Sequence, residues 1–495
     1  MLTRLAPFAA WCLAAAAASA EPQVLLPYAE QAATAWRYTT ERPPDDWMKP
    51  DFDDRAWAEG QAGFGTRETP GTRVRTIWST PDIWLRREFA LPQVPDFQAA
   101  ALHIRHDEDA QVYVNGQLIF EGAGYLVRVT AYDITAELKA AVRPGRNVVA
   151  VHCHQTIGGQ YIDLGIELDP KDRPPRRVNV QELRASRWPA EKAREWYRQL
   201  GPICGFNYLP RTAVNTTEMW QKLDEPTIDQ ELGWAAACGL NSARVFVQYI
   251  VYEAEPKELL ARMDRFLEIA SRHKISTMFI LFDDCFIPEP TLGPQPDPIP
   301  GVHNSRWTAS PGNRRKQPDN WPALERYVGD VVGHFAKDPR VIVWDLYNEA
   351  APQSRPLVEG AFAWARAANP TQPLTSCWQA ADLWDVATFH DYGAPNAANL
   401  EKLVAERPAL CTECIARGCG SRFDNVLPAF AEKKIGWYMW GLVKGRIQTY
   451  YPWGSKQGSP EPKPWHHDLL QPDGKPYDPA EIVLIRRFPA LFRGE

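Results

Sequence analysis

Val341-Ile342-Val343-Trp344-Asp345-Leu346-Tyr347 is an apolar run that ends in Asn348-Glu349. A short run of this kind, closed by polar residues, predicts a strand buried on both faces, as in a parallel sheet. Seven further runs read the same way: Ile203–Tyr208, Ala243–Tyr249, Thr277–Phe282, Leu374–Trp378, Val386–Phe389, Ala409–Thr412 and Gly436–Leu442. Helical patterns separate several of them. Leu259, Met263, Phe266, Leu267 and Ala270 share one helical face, and Leu324, Tyr327, Val328, Val331, Val332 and Phe335 share another. Eight strands alternating with helices over about 300 residues predict an α/β (β/α)8 TIM barrel across residues 199–495. A doubly wound open sheet is the alternative, but no Gly-rich phosphate loop opens a helix.

Upstream the pattern is all-β. Trp84–Phe89, Ala101–Ile104 and Val148–Val151 are short apolar runs separated by Gly, Pro, Asp and Asn. Gln111–Phe120 alternates on both sides of Asn115-Gly116, a pair that tolerates the positive φ of a tight hairpin turn. A β-sandwich over 21–170 follows. The Pro- and Arg-rich stretch from Asp169 to Arg177 opens a linker, placed at 171–198. The protein is therefore expected to be multidomain.

Residues 1–20 read as a signal peptide: Arg4, the apolar stretch Leu5–Ala18, and Ala18-Ser19-Ala20 as the cleavage site. The stretch is too short to span a bilayer comfortably, so a secreted or periplasmic location is expected, with no membrane partner. Eight of the nine cysteines lie beyond it. Export permits disulfides, but they are scattered over a chain large enough to do without staples. Cys411-x-x-Cys414-x(4)-Cys419 lacks a fourth ligand at zinc-like spacing, and His152-Cys153-His154 reads as a packed or surface pair. No metal and no cofactor is expected. The chain carries 55 basic and 61 acidic residues, a net charge of −6, which excludes a nucleic-acid binder relying on a basic surface. Its 20 Trp, 17 Tyr and 19 Phe supply aromatic faces on which sugar rings can stack.

In a barrel of this type the active site is built at the C-terminal ends of the strands. Those ends carry Arg244, Asn348-Glu349, His390-Asp391-Tyr392, Glu413 and Trp440. Two carboxylates on different strands, with a basic group, an amide and aromatics, suit cleavage of a glycosidic bond. One acid protonates the departing oxygen, and the other attacks or activates water. Glu401 and Glu406 are alternatives to Glu413 but fall in a predicted helix. Asp283-Asp284 follows the third strand and is a candidate for binding sugar hydroxyls. Two long loops, Pro288–Asn320 with Trp307, Arg314 and Arg315, and Lys444–Asp468 with Tyr450, Tyr451 and Trp453, are candidate walls of a substrate cleft.

Two sets of motifs then resemble known families. Asp51–Trp57, the Val112–Gly116 hairpin, Tyr132-Asp133-Ile134-Thr135 and Pro144-Gly145-Arg146-Asn147 occur in order over residues 30–168. Together they resemble the galactose-binding-like jelly-roll domain found at the N-terminus of many family 2 glycoside hydrolases. Gly205-Phe206-Asn207-Tyr208, Val343–Glu349, His390-x-Tyr392, Leu410-Cys411-Thr412-Glu413 and Trp437–Leu442 resemble the clan A retaining glycosidases that include families 2 and 5. This second resemblance spans about residues 200–470. It implies Glu349 as acid/base and Glu413 as nucleophile. Asn348 would hold the sugar 2-hydroxyl, Tyr392 would hydrogen-bond Glu413, and Arg244 would keep Glu413 ionised. Trp440 would floor the cleavage subsite, with His390 and Asn207 completing the substrate site. The departure from the family pattern is Cys414 and the glycine-rich segment after it. The activity implied is double-displacement hydrolysis of β-linked saccharides of the cellulose and hemicellulose type. A non-catalytic carbohydrate-binding protein on the same fold is the alternative. Metal-assisted hydrolysis is a further rival, but clustered His and Asp ligands are absent from the early strands.

Overall fold

The computed structural model describes residues 22–495 apart from 123, 157, 172, 173, 175–177 and 179. The predicted signal peptide lies outside them. The chain divides into two compact units, one ending at Arg177 and one beginning at Val178.

The first unit contains two six-stranded sheets. In one, Ala100–Asp107 and Tyr161–Leu168 pair antiparallel at the centre. In the other, Asp82–Leu91 and Gly145–His154 pair antiparallel along ten residues. Period-2 alternation turns Leu102, Ile104, Leu164 and Ile166 of the first sheet into the same buried cluster as Leu85, Val112, Val149 and Val151 of the second. The result is a sandwich. The expected hairpin joins Asp109–Val114 to Gln117–Gly122, with Asn115 at φ 51° and Gly116 at φ 85°. His152 and His154 share a strand face, and both contact Asp82 Oδ1, at 2.8 and 2.9 Å.

In the second unit eight strands form one sheet: β1 (Cys204–Asn207), β2 (Ser242–Phe246), β3 (Ser276–Asp283), β4 (Val341–Asn348), β5 (Leu374–Thr375), β6 (Ala387–Asp391), β7 (Ala409–Cys414) and β8 (Gly436–Met439). The order is β5-β4-β3-β2-β1-β8-β7-β6, and every neighbouring pair is parallel. The seam between β5 and β6 is bridged outside the ladder. Asp385 donates its N–H to the Leu374 carbonyl and accepts the Leu374 N–H on Oδ2, both at 2.8 Å. The Thr375 hydroxyl donates to the Val386 carbonyl at 2.8 Å. This is a nearly closed eight-stranded barrel. Its lower interior is filled by Met278, Val343, Leu410 and Tyr438. The two predicted helical faces lie on Pro256–Arg272 and Trp321–His334, and both are buried against the outside of the sheet. Among the described residues no helix is long and apolar enough to cross a membrane.

Two expectations need correction. Leu374–Trp378 is a strand only over Leu374–Thr375, because Trp378 and Gln379 turn into the left-handed region at φ 65° and 46°. The predicted linker is partly helical, at Val180–Ala185 and Ala190–Leu200. These helices belong to the second unit. The Trp188 N–H is held by Asp385 Oδ1 at 2.7 Å, and the Tyr197 hydroxyl donates to the Lys434 carbonyl at 2.9 Å. All eight described cysteines are unpaired thiols, with Cys411 and Cys414 buried in β7.

Candidate active site

The polar centre of the barrel is built around Arg244, which has no exposed surface. Its position follows from the strand period: Ser242 and Arg244 project to the same side of β2, and the Ser242 hydroxyl meets the Tyr438 hydroxyl at 2.9 Å in the interior. The guanidinium divides its donors among side chains of three other strands, β1, β4 and β7, and the bonds are short. Nη1 donates to Asn207 Oδ1 and to Glu413 Oε1, each at 2.8 Å. Nη2 donates to Asn348 Oδ1 and to Asp345 Oδ2, each at 2.7 Å, and Nε adds a 3.1 Å bond to the same Asp345 oxygen. Being enclosed, Arg244 presents nothing to a substrate; its contacts are with other side chains of the site.

Glu413 reaches this centre through an irregularity in β7. Leu410 faces the interior, so strict alternation would send Thr412 inward and Glu413 outward. Cys411 pairs with Trp437 but Cys414 with Met439, three steps on β7 against two on β8. The bulge re-aims the glutamate. Its Oε1 then accepts from Arg244, and its Oε2 accepts from the Tyr392 hydroxyl at 2.5 Å. Burial pushes this carboxyl up, and the neighbouring guanidinium pulls it back.

Glu349 sits just past β4 in a left-handed conformation, φ 44°. Its Oε1 lies 2.7 Å from His390 Nδ1, and its Oε2 accepts from the Cys285 thiol at 3.3 Å. Burial raises its pKa, opposed by the thiol bond and by the charge of Arg244. Burial also lowers His390 to about 4, so its ring is neutral at pH 7. The cation that favours ionised Glu413 at neutral pH is therefore Arg244. One ligand atom each from Glu349, His390 and Glu413 lies within 4.8 Å of the others. A metal ion placed among them would stand beside that guanidinium and compete for oxygens already engaged by Cys285, His390 and Tyr392. The donor set suits a metal poorly.

The two amides are engaged on both ends. Asn207 donates to the carbonyls of Thr412 and Met439 at 2.9 and 3.2 Å while accepting from Arg244. Asn348 donates to Asp283 Oδ1 at 3.0 Å and to Cys285 Sγ at 3.7 Å. Trp440 lies 5.8 Å from Phe246 and 5.7 Å from Trp307 between ring centroids, and with them and Asn207 it lines a small cavity.

The sequence reading missed Asp345 and Cys285 and misjudged the Asp283-Asp284 pair. Asp345 was legible as a charge inside an apolar strand, which is rare without a partner. Asp283 is buried and pushed up to about 6, accepting from Trp307 Nε1 at 2.7 Å. Asp284 is occupied by Lys316 Nζ at 3.0 Å, the Tyr347 hydroxyl at 2.9 Å and the Ser354 hydroxyl at 2.6 Å. Both brace the loops that frame Glu349, and neither is free for a sugar hydroxyl.

No family model matches the chain. An α-L-rhamnosidase from Streptomyces avermitilis is 29% identical over 249 residues, 48% of this chain and 22% of the relative. The chain thus spans less than a quarter of that protein. Among solved structures, a variant of a GH5_18 protein from Streptomyces cattleya, in complex with Manβ1-4GlcNAc, is 14% identical over 58% of this chain and 81% of the other, with a TM-score of 0.42. The exo-β-1,4-mannosidase Op5Man5 from Opitutaceae bacterium strain TAV5 is 19% identical over 59% and 60%, with a TM-score of 0.42. A β-glucuronidase from an uncultured Clostridium sp. is 11% identical over 95% and 98%, with a TM-score of 0.36. Likenesses of this size assign no activity to the chain.

Proposed function

We propose that the second unit is a retaining β-glycoside hydrolase, with Glu349 as acid/base and Glu413 as nucleophile. The observation that supports this best is the carboxylate separation. One oxygen of Glu349 and one of Glu413 lie within 4.8 Å of each other, an approach that fits the closely spaced carboxyls of double-displacement enzymes better than the wider pair that leaves room for a water. Glu413 attacks the anomeric carbon while Glu349 gives its proton to the departing oxygen. Glu349 then takes a proton from water, which displaces Glu413 and regenerates both groups. Arg244 and Tyr392 favour ionised Glu413, and burial keeps Glu349 protonated until the bond breaks.

The substrate class is a β-linked saccharide of the cellulose or hemicellulose type, with Trp440 as the floor of the cleavage subsite. Arg244 and Asn207 act on Glu413 and the strand ends rather than on the sugar. The first unit is a galactose-binding-like jelly roll that accompanies the catalytic barrel, and residues 1–20 direct the chain to the periplasm or the exterior.

Product release from soluble β-glucan, xylan, mannan and the corresponding aryl β-glycosides tests the reading. One sugar should be released with the β configuration at first appearance in the NMR spectrum, and Glu413→Ala should abolish release while keeping its fold. Glu349→Ala should lose least on substrates with good leaving groups. Release of the α anomer first would rule out double displacement. Binding without turnover would turn the assignment to a carbohydrate-binding protein.

A further inference from the structure

Among the described residues of the second unit, three aromatic rings are exposed: Phe286 at 53%, Trp378 at 50% and Trp453 at 43%. Exposed aromatics scattered singly would mean little, but these three ring one mouth. Trp378 is 6.2 Å from His390, which contacts Glu349. Trp453 is 4.8 Å from Tyr392, which contacts Glu413. Phe286 follows Cys285, which donates to Glu349, and it stacks on His303 at 6.3 Å; His303 lies 6.1 Å from Trp453. Each ring is thus one residue removed from a carboxylate of the proposed catalytic pair.

Two of the three are also held at a backbone cost. Trp378 has φ 65° and Phe286 has φ 61°. A bulky side chain in this region is strained, and such residues cluster at ligand clamps. Neither ring recovers that cost by full burial. An apolar ring that is both strained and wet is explained if a bound flat face covers it.

We infer that Trp378, Trp453 and Phe286 are stacking platforms for sugar rings on either side of the cleaved bond, so that the substrate is a chain of more than two residues. This rests on the glycosidase reading and extends it to substrate length. A pyranose covers a ring by its apolar face, while its hydroxyls stay in water at the open mouth.

The test uses the full chain with two substrates of the sugar it hydrolyses: the β-1,4-linked tetrasaccharide (cello-, xylo- or mannotetraose) and the β-glycosyl fluoride, which carries nothing beyond the cleaved residue. Trp378→Ala and Trp453→Ala should each raise KM for the tetrasaccharide about tenfold and leave the fluoride unchanged. Trp378→Tyr should restore most of the loss. Trp378→Gly should raise that KM equally while Tm holds or rises, since glycine relieves the left-handed strain. Parallel changes on both substrates, or none on either, would overturn the proposal. If the wild type hydrolyses neither, the glycosidase reading falls separately. Tetraose quenching of tryptophan fluorescence, lost in Trp378→Ala, then still decides whether the rings stack on sugar, and absence of quenching refutes it.

Discussion

The Cys285 thiol donates to Oε2 of Glu349 at 3.3 Å, and the thiol sulfur in turn accepts from Asn348 Nδ2 at 3.7 Å. The first contact links two residues 64 positions apart in the chain and places a weak donor on the group proposed as the acid. Burial pushes the thiol far up, so it stays protonated across any working pH. A donor on the carboxylate favours its charged form and lowers its pKa. Glu349 works protonated, so its pKa sets the alkaline limb of kcat/KM. Cys285→Ala should move that limb up. Cys285→Ser, a stronger donor, should move it down. A pH–rate profile decides, and an alkaline limb unmoved in the alanine variant would remove Cys285 from the mechanism.

Tyr392 governs the opposite limb. Its hydroxyl donates to Glu413 Oε2 at 2.5 Å, and Glu413 must be ionised to attack. Loss of that donor raises the carboxyl pKa, so Tyr392→Phe should move the acid limb up. It should also lower kcat by about 10²-fold, as expected on removing one strong donor from a reacting group. The alkaline limb should stay in place. Movement of both limbs together would mean that the two carboxylates titrate as one unit.

Arg244 carries fold and chemistry together. Removing it leaves Asp345 and Glu413 buried without their cation, and among the described residues Asp345 Oδ1 already has no hydrogen-bond partner. Breaking such a network typically costs about 3–5 kcal/mol. Arg244→Met should therefore lose turnover and show a lower urea midpoint. Double substitution with Asp345→Leu should regain part of the stability and none of the activity. A singly substituted protein as stable as wild type would show that the cluster is not energetically coupled.

The barrel could be read from the chain because parallel strands are buried on both faces and leave continuous apolar runs. Asn348-Glu349 was legible for the same reason, as the polar stop to such a run. What escaped reading was long-range or irregular. Cys285 meets Glu349 only because β3 and β4 lie side by side, which no local pattern encodes. Glu413 reaches the interior through a bulge that breaks the very alternation used to read faces. Leu374–Trp378 reads as strand from Leu374, Cys377 and Trp378, but the strand stops at Thr375 and the chain is left-handed at Trp378 and Gln379. Asp345 was the missed clue with a signal: one carboxylate inside an apolar strand implies a buried cation.

The sandwich contains an independent titrating group. Asp163 is buried, and burial pushes it up to about 7, while Oδ2 accepts the Ala29 N–H at 2.7 Å. In the unfolded chain the same group titrates near the ordinary aspartate value of about 3.9. Between those values the folded unit holds a proton that the unfolded chain releases, so its stability falls as pH rises through the window. The contribution is fully present below about pH 4 and lost above about pH 7. At about 1.36 kcal/mol per unit, a three-unit difference amounts to roughly 4 kcal/mol, an upper figure after relaxation. Asp163→Asn mimics the protonated carboxyl and can keep an oxygen for Ala29. Its unfolding midpoint should match wild type near pH 4.5 and exceed it at pH 8. Thermal scans of both proteins across that range would decide, and parallel curves would show that Asp163 is solvated and ionised in the folded unit.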